Sequence, residues 1–226
     1  MAIIRRTSAR FSPPSMGFSC QRSTRRAIER DEEKIRHWQR HKWPAIKKAY
    51  REGRLIVFID ETGGSTKPHR VRTWAPRGQT PELHETFGWQ SLSIIAAISL
   101  WRILFRIHAG AINGDQVVHF RGFLGRHTRQ PMLIVWDGAP FHRCKWVAEH
   151  VASTKGRLLI ERLPAYAPKL YPAVYFWARL KEQEIANLLV KVAWQLSHHA
   201  TAAMRTMRRH PRIIRACFAQ AELWPE

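Results

Sequence analysis

Two five-residue apolar runs, each closed by an aspartate and a turn, constrain this chain more than any other feature. Leu55-Ile56-Val57-Phe58-Ile59 runs into Asp60 and then Thr62-Gly63-Gly64, and Met132-Leu133-Ile134-Val135-Trp136 runs into Asp137 and then Gly138-Ala139-Pro140. Unbroken, β-branched-rich apolar runs of this length predict buried strands, and the glycines and proline after them predict where those strands stop. In α/β proteins the carboxyl end of a strand is where ligand sites form. Two carboxylates delivered there by different strands offer hard oxygens that divalent cations can share. Taken singly, Asp60 and Asp137 read more readily as turn or helix-cap residues than as catalysts, so their pairing carries the inference.

Charge narrows the partners. The 226 residues include 38 Lys+Arg against 17 Asp+Glu, a formal net charge of +21. A surplus of that size attracts polyanions through counterion release, and nucleic acid is the first to consider. Residues 1–54 hold 15 basic and 5 acidic side chains, so the amino-terminal part is the more densely basic. Cys20, Cys144 and Cys217 are odd in number and widely spaced, which excludes a disulfide framework and a zinc pattern and fits a reducing cytosol. The most apolar stretch, Leu92 to Ile107, is interrupted by Arg102 and Arg106, and no apolar segment follows Arg5-Arg6. No membrane partner is expected, and the reading is an intracellular protein.

The order of elements gives the architecture. Residues 1–27 are rich in Arg and Ser and lack a period. From Ala27 to Gly53 a helical stripe of Ile28, Ile35, Trp38, Ile46 and Tyr50 predicts a basic helix, kinked or divided at Pro44. Strands are predicted at 54–60, 71–74, 91–99 and 101–107, as an antiparallel meander. A helix over 115–126, a strand over 132–137, a helix over 141–153, a strand over 158–163 and a long helix from Pro172 to Leu196 follow. A meander followed by alternating helices and strands is the mixed α/β sheet of the ribonuclease H-like fold. Residues 1–53 form a basic helical extension to it and residues 54–226 the core.

Four segments carry a more specific resemblance: Phe58-Ile59-Asp60-Glu61-Thr62; Arg72-Thr73-Trp74-Ala75-Pro76-Arg77-Gly78-Gln79-Thr80-Pro81; Val135-Trp136-Asp137-Gly138-Ala139-Pro140-Phe141-His142; and Leu163-Pro164-Ala165-Tyr166-Ala167-Pro168. In this order they resemble the DDE transposases of the bacterial insertion-sequence branch of the mariner superfamily. The resemblance implies an integrase-like catalytic core and Mg²⁺- or Mn²⁺-dependent DNA cleavage and strand transfer by a two-metal site. In it Asp60 would bridge both ions and Asp137 would hold one of them. It also implies double-stranded DNA as partner, both element ends and target, a homodimer as a compatible assembly, and a cytoplasmic, nucleoid-associated location in a bacterium.

The third carboxylate departs from the family. Its pattern Leu-Asn-Pro-Val-Glu supplies the final ligand, and here the chain reads Leu170-Tyr171-Pro172-Ala173-Val174. Val174, which binds no metal, stands at the glutamate position. Glu182 lies eight residues further, about 12 Å along a helix, and Glu61 and Glu161 read as structural or solvent-exposed. The expectation is an impaired catalyst, with a noncatalytic DNA-binding remnant that regulates or inhibits intact copies as the alternative. A nucleic-acid-binding protein unrelated to transposition would instead keep Asp60 and Asp137 apart. The amino terminus departs as well: Phe11-Ser12-Pro13-Pro14-Ser15 and Gly17-Phe18-Ser19-Cys20-Gln21 read as two edges of a truncated helix-turn-helix module. Arg22, Arg25, Arg26, Lys47 and Lys48, with Arg70, Arg72 and Arg77 in a predicted hairpin, are the candidate DNA contacts. His142, just after Asp137, reads more readily as structural, and His198-His199 has no ligand partner at useful spacing.

Overall fold

A computed structural model describes residues 27–85, 89–138 and 151–223. Five strands form one sheet: β1 (Leu55–Ser65), β2 (Ser91–Ile98), β3 (Ile103–Ala109), β4 (Met132–Trp136) and β5 (Leu158–Arg162), in the order β3-β2-β1-β4-β5. β1 is central. It pairs antiparallel with β2, with Phe58 opposite Ile98, and parallel with β4, with Phe58 opposite Val135. This is the mixed α/β, ribonuclease H-like sheet that the element order predicts, and both faces are covered by helices.

Alternation along β1 explains the two covered faces. Ile56 and Phe58 point to one side, where they join Ile94, Ala96, Ile98 and Val135 in a core closed by helices α1 (Glu32–His37), α2 (Trp43–Arg51), α4 (Pro172–Arg179), α5 (Ala193–Arg209) and α6 (Pro211–Gln220). Val57 and Ile59 point to the other, where Ile95, Ile134 and Trp136 meet Val117, Phe120 and Leu124 of helix α3 (Gly114–His127). Phe58 is the joint of the first core. Its ring lies 6.5 Å from Trp43, 6.1 Å from Tyr171 and 5.4 Å from Phe218, so three helices are keyed to one central-strand residue.

The amino-terminal helical segment is continuous but not uniform. Between α1 and α2, Trp38–Lys42 form a π-helical turn, and Pro44 occupies the first turn of α2. A proline ring collides with the carbonyl four residues earlier in a regular α-helix; the wider turn relieves that contact without breaking the segment. Ile35, Trp38 and Ile46 are buried as the stripe predicts, and Trp43 joins them. Ile28 does not: it precedes the helix and is 98% exposed.

Two other expectations need correction. No strand forms at 71–74. β1 extends past the predicted stop at Asp60 to Ser65 and turns through a long excursion to β2, so residues 71–74 have no strand to pair with, and among the described residues of the excursion only His69 makes an isolated bridge, to Ala186. The helix expected from Pro172 to Leu196 is interrupted: α4 runs into a π-helical turn at Leu180–Glu184, then an irregular segment precedes α5. The break is fixed by Asn187, which adopts φ 53 and directs its amide to the excursion instead of continuing the helix. Of the helix expected over 141–153, only 151–153 lie within the described residues, and these are helical.

Candidate active site

Strand register brings the two aspartates level. The parallel pairing of β1 with β4 runs from Leu55 opposite Met132 to Phe58 opposite Val135; two residues further along, the same register places Asp60 beside Asp137. Adjacent strands lie about 4.8 Å apart, so the carboxylates share one end of the sheet. Burial and the negative charges of Glu61 and Asp137 push Asp60 up to about 7, against a donated hydrogen bond from Trp177 that acts the other way. Two carboxylates held this close, one of them largely buried, create a field that a hard cation relieves.

The far wall of the site is α4 with the turn that follows it. Tyr171, just before the helix, is buried, and its hydroxyl donates to the Ile59 carbonyl. Burial and the charges of Asp60, Asp137 and Glu61 hold that phenol well above its ordinary range, so it stays a donor. Trp177 donates its indole Nε1–H to Asp60 Oδ2 at 3.0 Å. Burial lowers Lys181 below the ordinary lysine range, while the Asp60 carboxylate favours its ammonium form. Tyr171, Val174, Trp177 and Lys181 recur at helical spacing of three and four, so they occupy one face. Val174 thus stands between two residues that touch the Ile59-Asp60 end of β1, and it is 36% exposed.

That arrangement tests the fit of a metal site. Asp60 and Asp137 suit one hard divalent ion. The helix face supplies no oxygen at position 174, so the donors for a second ion are incomplete. Among the described residues, no group of three or more His, Cys, Asp or Glu is arranged to hold a metal.

The remaining candidates fall elsewhere. Glu61 is partly buried next to Asp60 and is its largest electrostatic neighbour, whereas Glu182 is exposed. Glu161 forms an ion pair with Lys42 at 3.6 Å, a structural tie between the helical extension and β5. Lys48 is exposed and pairs with Glu52 at 3.8 Å, and Lys47 is partly exposed on the same helix. Arg70, Arg72 and Arg77 are exposed on the excursion between β1 and β2, which is an irregular loop and not a hairpin. Arg22, Arg25, Arg26 and His142 lie outside the described residues. His198 and His199 are exposed on α5. Sequence reasoning missed Tyr171, Trp177 and Lys181 as neighbours of Asp60; their spacing was the available signal.

A ribonuclease H-like sheet whose two neighbouring central strands bring aspartates level beside a helix defines the class of DDE-type nuclease cores. The chain belongs to the DDE superfamily endonucleases, whose family profile matches residues 55–196. Solved structures with the same fold include the mariner Mos1 paired end complex with Mg, at 16% identity and a TM-score of 0.64, covering 92% of this chain and 66% of that one. The Mos1 strand transfer complex matches at 15% identity and a TM-score of 0.61, covering 94% and 68%. The catalytic domain of Mos1 transposase matches at 12% identity and a TM-score of 0.53, covering 90% of this chain and 100% of that domain. No curated protein matches. Among the described residues no helix is long and apolar enough to cross a membrane.

Proposed function

We propose that this chain is a DDE transposase of insertion-sequence type, built for divalent-metal-dependent cleavage and strand transfer of DNA, in which the substitution at position 174 impairs catalysis. The observation that carries the reading is the register that levels Asp60 with Asp137 while Val174 occupies the facing helix stripe between Tyr171 and Trp177. Asp60 and Asp137 would hold Mg²⁺ or Mn²⁺. Bound there, the ion would activate water or a DNA 3′ hydroxyl and neutralise the phosphate under attack.

The chain's own residues have separable roles. Trp177 orients the Asp60 carboxylate and favours its ionised form, and Tyr171 locks α4 to the strand that carries it. Lys181 places a cation beside the same carboxylate, where a DNA phosphate would lie. The basic surface, with Lys47, Lys48, Arg70, Arg72 and Arg77, gives affinity for the duplex backbone without sequence preference. The crystallised Mos1 relatives include a complex with a left transposon end, which supports DNA as partner.

A second reading is favoured by Val174 alone: a noncatalytic DNA-binding form that occupies element ends or joins intact subunits and inhibits them. Nicking of end-labelled duplex DNA in Mg²⁺ or Mn²⁺ separates the two. Weak nicking abolished by Asp60→Ala supports the impaired enzyme; no nicking in the wild type, with activity appearing in Val174→Glu, supports the inhibitor. Robust nicking unaffected by Asp60→Ala would overturn both.

A further inference from the structure

The excursion between β1 and β2 holds a side chain that folding does not use. Residues 72–82 are exposed throughout, and Trp74 among them is 100% exposed. Indole is the largest apolar side chain and gains more from burial than any other, so a fully solvated one contributes nothing to this fold. Its surroundings are cationic: Arg70, Arg72 and Arg77 are all exposed, and no carboxylate occurs between Lys67 and Pro81.

The root of this loop is nevertheless fixed. Asn187 accepts from the Val71 backbone N–H at 3.0 Å, donates from Nδ2 to the Val71 carbonyl at 3.3 Å, and its own N–H donates to the His69 carbonyl at 2.9 Å. Near the tip, the Gln79 N–H donates to the Pro76 carbonyl at 3.0 Å, and Gly78 at φ 82 closes a turn that displays Arg77. Asn187 follows directly on the segment that carries Trp177 and Lys181, and His69 and Lys181 line one cavity of about 280 Å³ with Thr62 and Gly63. The arm is therefore rooted beside the carboxylate site.

We propose that Trp74, with Arg70, Arg72 and Arg77, forms a stacking arm that takes an unpaired DNA base next to the strand break. The guanidinium groups would grip the flanking phosphates and the indole would cover the base. Bases inside a duplex already have both faces stacked; a base freed at a break offers the open π-face that a lone indole can use. This inference rests on the DNA-cleavage reading and adds a substrate preference to it.

The test uses the full chain in EDTA, with a duplex carrying a 3′ single-stranded overhang that contains 2-aminopurine and a fully paired duplex of equal charge. The wild type is expected to favour the overhang by about 5- to 150-fold and to change the 2-aminopurine emission. Trp74→Ala should lose that preference and signal, while affinity for the paired duplex and its salt slope stay unchanged; Trp74→Phe should retain part of both. Asn187→Ala, which frees the root and leaves the indole in place, should lower the preference. Trp74→Ala with the wild-type preference overturns the proposal. So does a preference that falls only because sedimentation shows a dimer becoming a monomer, which makes Trp74 a contact between copies of the chain. Binding to the paired duplex and metal-dependent nicking by the wild type report on the DNA-cleavage reading separately, so its failure is distinguishable from failure of the arm.

Discussion

The strand side and the helix side of the candidate site are equipped differently. On the strand side, β1 and β4 deliver Asp60 and Asp137, the residue types that a metal-dependent nuclease requires. On the helix side, the stripe of α4 keeps its docking contacts, Tyr171 to the Ile59 carbonyl and Trp177 to Asp60, yet presents valine between them. The difference teaches that the residues that dock a helix and the residue that supplies a ligand are separable. Position 174 can change without loosening the frame, because an exposed position contributes little to packing.

The comparison breaks most severely if the frame itself is removed. Phe176→Ala, at a fully buried position on α4, is expected to cost about 3–5 kcal/mol in urea unfolding, because a ring is replaced by a void. A loss below about 1 kcal/mol would mean that α4 is not docked as described.

Next comes the strand-side charge. Asp60 lies near 7 in the folded protein against an ordinary 3.8. The folded state therefore holds this proton more tightly than the unfolded chain, and stability is lost as pH rises from about 4 to about 7, with no further loss above. Asp60→Asn avoids that cost, so in EDTA its stability relative to wild type should be unchanged near pH 4 and higher by up to about 4 kcal/mol at pH 8. Parallel stability curves for the two proteins would show that Asp60 is not in the buried, like-charged setting described. Adding Mg²⁺ should flatten the wild-type pH slope and leave that of the variant alone.

Placing a carboxylate on the helix side is a smaller but more diagnostic change. Val174→Glu should strengthen Mn²⁺ binding, followed as a metal-dependent rise in Tm, by about 10- to 100-fold, since this is the range lost when even an outer partner of a metal site is removed. If the affinity does not move, position 174 does not face the carboxylates. Tyr171→Phe, by contrast, should cost about 1–2 kcal/mol by leaving the buried Ile59 carbonyl without its donor. Smallest of all, Lys42→Ala breaks an ion pair in which Lys42 is half exposed, and it should shift stability by less than about 0.5 kcal/mol.

The parts of the molecule that were legible share a physical cause. Leu55–Ile59 and Met132–Trp136 are apolar because both faces of a central sheet are covered, so their composition announces both strands and the end of β4, whereas β1 continues past Asp60 to Ser65 on its pairing with β2. α3 was equally plain, for Val117, Phe120 and Leu124 repeat at helical spacing against one face. The illegible parts depend on contacts distant in sequence. Val71-Arg72-Thr73-Trp74 has strand composition but no neighbouring strand. The break after Glu184 is made by Asn187 reaching 116 residues back to Val71, a tie that no local window contains.

The sequence by itself determined the central strands of the sheet, the two aspartates they carry and the valine at position 174, because each follows from residue type in a strand or in a motif. Only the tertiary structure decided what surrounds them. The level register of Asp60 with Asp137 comes from pairing β1 with β4, the grip of Tyr171 and Trp177 comes from packing α4 against β1, and the rise of Asp60 toward neutrality comes from the burial and like charges that result. Burial and proximity are properties of the assembled sheet and helix, and they arise only when residues more than a hundred positions apart share one wall.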